Sequence, residues 1–109
     1  MEESQAALVL ASLGHEARLA VFRRLISAGP EGVQAGSLSA LLDMPPSTLS
    51  HHLSALEHAG LIAGRRDGRR QIYAIVPAQV HALLSFLRDD CCGGNPALCG
   101  LGDPAPACR

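Results

Sequence analysis

Residues 47–60 read STLSHHLSALEHAG, and this segment has the pattern of an amphipathic helix. At about 100° per residue, Leu49, Leu53 and Leu56 share a narrow sector with Gly60. The opposite side of the helix carries short polar side chains near its start: Ser47, Thr48, Ser50, His51 and Ser54. A helix that enters a major groove needs such donors and acceptors at its first turns and an apolar back. These five residues are therefore predicted to contact DNA, with His52 half-buried behind them.

The segment before this helix predicts a second, shorter helix and a tight turn. Ser37 can cap a helix that runs through Leu42, with Leu38, Leu41 and Leu42 as its buried stripe. Residues 43–46 are expected to form a tight turn between the two helices, because two prolines cannot continue a helix. Ser47 or Thr48 is then the expected start of the next helix.

The segment after Gly60 changes to the period of strands. Residues 61–63 and 71–75 have strand character and flank Asp67-Gly68, a favoured hairpin turn. Four arginines surround that turn: Arg65, Arg66, Arg69 and Arg70. They are predicted to contact phosphate or enter the minor groove. The fold class is therefore mainly α with a small β-hairpin, in the order of a winged helix-turn-helix.

The outer helices are more apolar than one small domain requires. Residues 4–13 are apolar around the whole helix, so this helix needs cover on all sides. Residues 15–28 form an amphipathic helix; its expected apolar face contains Leu19, Phe22, Leu25 and Ile26. The last helix, from Pro77 to about Asp90, has two apolar faces, one with Val80, Leu83, Leu84 and Leu87 and the other with Ala82 and Phe86. We expect one face to pack on the core and the other on a second subunit.

Composition restricts the class of protein. With 109 residues there is room for one domain, which excludes an enzyme with separate cofactor and substrate domains. With 48% hydrophobic residues and a net charge of −1, a disordered charged tail is excluded. No apolar run reaches the roughly 20 residues of a membrane span. Glu2 and Glu3 open the chain where a secretory leader would be basic, so a cytoplasmic protein with reduced thiols is expected.

The sequence resembles the ArsR/SmtB-type family of arsenic-responsive repressors over about residues 6–90. The resemblance rests on Arg18-Leu19, on SHHLSALEHAGLI at residues 50–62, on RDGR at residues 66–69 and on Tyr73. It implies a homodimer that binds double-stranded operator DNA and releases it when a toxic metal or metalloid binds. It also implies that the first and last helices form the dimer.

A second group of residues follows the last helix. Cys91, Cys92 and Cys99 lie in a stretch rich in glycine and proline, where the chain can bring three sulfurs together. Three thiolates suit the pyramidal ions As(III) and Sb(III), and a methylated As(III) species needs only two. The predicted metal ligands are therefore Cys91, Cys92 and Cys99, and the predicted inducer is As(III). Residues 1–90 form the DNA-binding and dimerisation domain, and residues 91–109 form the metalloid-binding tail.

Other interpretations of the cysteines remain open. Cys108 supplies a fourth thiol for tetrahedral Zn²⁺, although adjacent cysteines are poorly spaced for a structural zinc site. A redox sensor is disfavoured because Asp89-Asp90 and a helix C-terminus both raise thiol pKa values. No activated nucleophile beside a base is visible, so an enzyme is not predicted. His15, His58 and His81 are expected to be structural.

Overall fold

The boundaries of the elements come from a computed structural model, which describes the backbone of residues 1–91 and the side chains of residues 1–88. The elements of this part are, in order, α1 (Glu3–Leu13), α2 (Glu16–Ala28), β1 (Val33–Gln34), α3 (Ala35–Leu41), α4 (Pro46–His58), β2 (Ile62–Asp67), β3 (Arg70–Ile75) and α5 (Pro77–Cys91). The predicted fold class is confirmed, since helices dominate and a hairpin follows the helix-turn-helix. No helix within residues 1–91 is long and apolar enough to span a bilayer.

The core lies between α1, α2, α4 and the start of the hairpin. Its fully buried side chains are Val9, Val21, Leu25, Leu38, Leu49, Leu53, Leu56, Leu61 and Ile62. The three leucines predicted to form the back of α4 are all among them, because their spacing places them on one side of the helix. Helix α4 is thereby fixed to the domain along its apolar side.

The turn between α3 and α4 spans residues 42–45 and is as short as the sequence predicts. Its backbone contains Asp43 with φ +49°, and the Ser39 hydroxyl donates a hydrogen bond to the Met44 carbonyl. Pro46 occupies the first turn of α4, where a residue without an N–H and with φ near −65° is well suited. The helix therefore begins at Pro46, one residue before the expected start at Ser47.

Helix α3 begins earlier than predicted, at Ala35, and Ser37 lies inside its first turn. The residue before it, Gln34, has extended dihedral angles and makes no side-chain cap, because it also ends β1. Only Leu38 of the predicted stripe is fully buried, whereas Leu41 is 56% exposed.

The β2–β3 hairpin, called the wing below, belongs to a three-stranded antiparallel sheet in the order β1-β3-β2, so the predicted hairpin has an additional strand. Val33 pairs with Tyr73, and Gln34 pairs with Ile72. The hairpin register pairs Asp67 with Arg70, which makes Gly68 and Arg69 the two loop residues. The turn is therefore one residue later than predicted, with Gly68 at φ +65°.

The predicted apolar faces of α2 and α5 are partly wrong. Leu19 and Ile26 are exposed, and Val21 takes the inward position beside Phe22 and Leu25. Each of these helices carries more than one apolar stripe, and the packing of neighbouring elements selects the stripe that turns inward. In α5, Leu83 is buried and Leu84 is 57% exposed. Phe86, assigned to the other face, packs against the core together with Val80 and Leu87.

Candidate nucleic-acid interface

Helix α4 presents a continuous polar side to solvent. All five predicted contact residues are exposed on it: Ser47, Thr48, Ser50, His51 and Ser54. Four of them lie in its amino-terminal half, and Ser54 follows in the next turn. The helix dipole and the first backbone N–H groups favour an anion such as phosphate near the helix start. The side chains are short, so the helix can approach base edges closely. The arrangement is therefore suited to a major groove.

The carboxyl end of α4 is joined to the wing and to α5 by hydrogen bonds. Glu57 Oε2 accepts a hydrogen bond from the backbone N–H of Gly64 at 3.2 Å. The Gln79 side-chain amide donates to the Ala59 carbonyl at 3.1 Å. Gly64 also allows a close approach, since a Cβ at this position would lie 2.9 Å from the Tyr73 ring. These contacts connect α4 to the wing and to α5.

His52 is 4% exposed and is thus more deeply buried than the predicted half-buried position. Its Nδ1 accepts a hydrogen bond from Arg18 Nε at 3.3 Å, and its ring centroid lies 4.8 Å from that of His15. Burial lowers the pKa of His52, and the charges of Arg18, His15 and His51 lower it further. The resemblance includes both Arg18 and His52, but the sequence alone gives no reason to pair them across 34 positions.

The four predicted wing arginines are all exposed. Arg65 and Arg66 lie on β2, Arg69 lies in the turn and Arg70 begins β3. Arg65 Nη2 donates to the Glu31 carbonyl at 2.8 Å, which holds this guanidinium against the loop before β1. Strand alternation places Arg66 on the same face as Gln71, opposite to Arg65 and Arg70. The wing therefore presents positive charge on both faces and at its tip.

A groove of about 390 Å³ separates the wing from the helix-turn-helix. Residues from both sides contribute to it: Ala35, Gly36, Ser39, Pro46, Leu49, Ser50, Leu53, Gln71 and Tyr73. Gln71 and Tyr73 were not predicted as part of the interface. The alternation of β3 could have indicated them, because both share the face that carries Arg66.

Only one of the three predicted metal ligands lies within the described residues. Cys91 is the last residue of α5, and Cys92 and Cys99 lie outside the described residues, as does Cys108. Within the described part, no group of three His, Cys, Asp or Glu side chains is arranged to hold a metal. His15, His58 and His81 are all exposed. The expectation that they are structural stays a prediction.

Comparison with known proteins agrees with this geometry. A family described as a helix-turn-helix domain matches residues 13–65. Over 65 residues the chain is 42% identical to a candidate arsenical resistance operon repressor, ArsR, of Halobacterium salinarum; the match covers 60% of this chain and 50% of that protein. It therefore spans half the length of this relative. The transcriptional activator HlyU of Vibrio cholerae is 27% identical over 92 residues, which cover 84% of this chain and 82% of HlyU.

A solved structure of similar fold also combines a wing with a helix-turn-helix. It is the homodimeric winged helix-turn-helix DNA-binding domain of a candidate ArsR-family regulator from Mycobacterium bovis. The TM-score is 0.63 and the sequence identity is 30%; the match covers 80% of this chain and 81% of that one. The chain belongs to the ArsR family. Family members are DNA-binding transcriptional regulators and not enzymes. In this ArsR-family chain, α4 is the second helix of the helix-turn-helix and the β2–β3 hairpin is the wing.

Proposed function

We propose that this chain is a cytoplasmic repressor that binds operator DNA as a homodimer and is released by As(III) or Sb(III). The observation that supports DNA binding most directly is the exposed polar half of α4, backed by three buried leucines. In the proposed complex, Ser47, Thr48 and Ser50 lie nearest the helix start and bind phosphate or base edges. His51 and Ser54 lie one turn further and reach bases in the major groove.

The wing supplies the second contact in this proposal. Arg66, Arg69 and Arg70 bind the sugar-phosphate backbone or enter the minor groove beside the recognition helix. Arg65 has a supporting role, because its guanidinium is hydrogen-bonded to the Glu31 carbonyl. Guanidinium groups suit this task because each offers several donors in a fixed plane.

A homodimer is supported by apolar side chains that the described chain leaves exposed. Leu8 and Leu10 on α1 are 48% and 41% exposed, and Leu84 on α5 is 57% exposed. These are the two helices for which the sequence predicts a partner subunit. The related domain from M. bovis is homodimeric. Two recognition helices in such a dimer would read half-sites about 34–36 Å apart.

The proposed inducer site consists of Cys91, Cys92 and Cys99. Three thiolates match the preference of As(III) and Sb(III) for soft pyramidal coordination, and binding releases the thiol protons. The chemistry of the sequence and the name of the halobacterial relative support this proposal. Because Cys91 ends α5, a metalloid bound there would act directly on a helix assigned to the dimer.

Release by arsenite is tested with the full-length protein and a fluorescent duplex that the protein selects from a random library. Sodium arsenite should weaken binding by about five- to 150-fold, corresponding to a coupling of about 1–3 kcal/mol. Cys99→Ser should abolish this response, and Cys108→Ser is the matched control that should keep it. If Cys99→Ser responds to arsenite like the unmodified protein, the three-thiol site is wrong.

The same assay separates the other candidate inducers. A methylated trivalent arsenical that still releases Cys99→Ser would restrict the site to Cys91 and Cys92. Release by Zn²⁺ alone, or by peroxide alone, would replace the proposed inducer with zinc or with oxidation. Tighter binding in the presence of arsenite would contradict the proposed repressor mechanism.

A further inference from the structure

Arg18 joins two parts of the molecule that have different tasks. Its Nη1 donates a hydrogen bond to the Ser12 carbonyl in the last turn of α1, at 3.3 Å. Its Nε donates to Nδ1 of His52 in the middle of α4, also at 3.3 Å. One guanidinium on α2 thus connects a helix of the proposed dimer with the recognition helix.

The Arg18–His52 contact requires a neutral imidazole. Arginine stays protonated in proteins and only donates hydrogen bonds, so Nδ1 of His52 must carry a lone pair and no proton. A protonated His52 would lose its acceptor at Nδ1 and place a second cation 3.3 Å from Arg18 Nε. The ring is 4% exposed, so water screens this repulsion weakly.

The charged groups that act on His52 are Arg18, His15 and His51, and Glu16, the acidic residue of α2, is exposed. Arg18 and His15 act on it from α2 and the residue before it, and His51 acts from α4 itself. Helix α1 presents the Ser12 carbonyl to Arg18, and its only acidic residue, Glu3, lies at the opposite end. Helix α3 has no titratable side chain. On β2, which packs at the carboxyl end of α4, the charged residues Arg65, Arg66 and Asp67 lie toward the hairpin tip.

We propose that His52 is a proton-sensitive positioning residue: in its neutral form it fixes the recognition helix to α1 through Arg18, and protonation releases that connection and weakens DNA binding. This inference rests on the proposed DNA-binding role of α4. It differs from the inducer proposal, because it involves no cysteine and no metalloid. The lowered pKa of His52 means that the connection is intact at neutral pH and is lost only in acid.

The expected sign is opposite to that of general electrostatics. Positive charge added to a protein as the pH falls strengthens its non-specific attraction to the phosphates of DNA. Protonation of His52 should weaken binding, because the helix loses its fixed position. A comparison of variants at these two positions therefore separates the proposed effect from general electrostatic attraction.

The test uses full-length protein without metalloid and the selected duplex, from about pH 8 to about pH 5.5. In His52→Gln, the side-chain carbonyl can still accept from Arg18 but does not titrate. The affinity of His52→Gln is divided by that of the unmodified protein at each pH. This ratio should rise by about threefold or more as the pH falls. His51→Gln is the control, and it should retain the weakening of DNA binding that protonation of His52 causes. Parallel pH profiles for His52→Gln and the unmodified protein would overturn the proposal.

A second measurement decides the matter if His52→Gln does not fold or if no duplex binds. Nitrogen NMR of the unmodified protein reports the protonation of each imidazole nitrogen. The proposal predicts an unprotonated Nδ1 at neutral pH, and backbone amides near Ser12 and in α4 that shift with the titration of His52. A protonated Nδ1 at neutral pH, or α1 amides that do not follow His52, would refute it. Absence of duplex binding at every pH would count against the proposed function alone.

Discussion

At the scale of single residues, the arginines near the proposed interface fall into two groups, those that donate hydrogen bonds within the domain and those assigned to DNA contact. Arg18 and Arg65 both donate to backbone carbonyls or neighbouring side chains, and they hold α4 and the wing in place. Arg69 lies instead in the two-residue turn at the tip of the hairpin and is exposed. An arginine is thus assigned to support or to DNA contact according to whether its guanidinium already donates hydrogen bonds within the domain.

Arg69→Ala should weaken binding to all duplex sequences to a similar degree, because a backbone contact carries no base information. The slope of log affinity against log salt should decrease in magnitude by about 1. Titrations at several salt concentrations measure both effects. Arg24→Ala on α2 is the control and should leave the slope unchanged. A loss limited to one base position would show that Arg69 reads sequence instead.

At the scale of elements, the wing depends on a strand of only two residues. β1 pairs with β3 and brings the loop before α3 against the sheet. Gly32 permits this contact, since its φ is +80° and a Cβ would lie 2.5 Å from the Tyr73 carbonyl oxygen. The nearby Gly36 lies in α3 and has no atom within 4 Å of the position of a Cβ. Two glycines four positions apart therefore have opposite structural roles.

Gly32→Ala should lower the free energy of unfolding by about 1–3 kcal/mol, because it introduces both a clash and an unfavourable φ. Gly36→Ala should raise it by about 0.5–1 kcal/mol, since alanine favours a helix. Urea unfolding of the two variants measures the difference. Equal effects of the two substitutions would contradict the assigned role of β1.

The sequence predicts the helices and the hairpin well because these depend on local signals. The leucine spacing of α4, the prolines that end the preceding helix and Asp67-Gly68 near the hairpin turn act over a few residues. β1 was missed because Val33-Gln34 is too short to show a strand period and forms only through its partner β3. The contact between Arg18 and His52 was missed for the same reason, since tertiary packing alone brings them together.

The inward faces of the helices show the same limit. Leu19, Ile26 and Leu84 have the hydrophobicity of core residues, yet all three are exposed in the described chain. A helical wheel gives the relative orientation of apolar side chains but does not indicate which stripe a neighbour will cover. Among the candidate site residues, the positions on α4 could be predicted because buried leucines fix the opposite side of that helix.

At the scale of the whole molecule, the proposed homodimer would cover apolar side chains that are exposed on α1 and α5. They belong to the helices that the sequence assigns to a dimer. A second copy covering Leu8, Leu10 and Leu84 would bury this surface and contribute stability that a short chain otherwise lacks.

Leu84→Glu should shift the protein toward monomer, because a carboxylate would have to be buried in the proposed interface. Leu41→Glu is the control: Leu41 is exposed to a similar degree but lies on α3. Sedimentation equilibrium measures both, and the monomeric variant should bind the selected duplex at least about tenfold more weakly. If Leu84→Glu remains as dimeric as Leu41→Glu, α5 is not part of the interface.

The central claim is that metalloid binding and operator binding oppose each other. Thermodynamic reciprocity requires that if arsenite weakens operator affinity by some factor, the operator weakens arsenite affinity by the same factor. Calorimetric titration of arsenite into free dimer and into operator-bound dimer measures this directly. We expect arsenite to bind the complex about five- to 150-fold more weakly. Equal affinity for both forms, with the complex intact at saturation, would contradict the account.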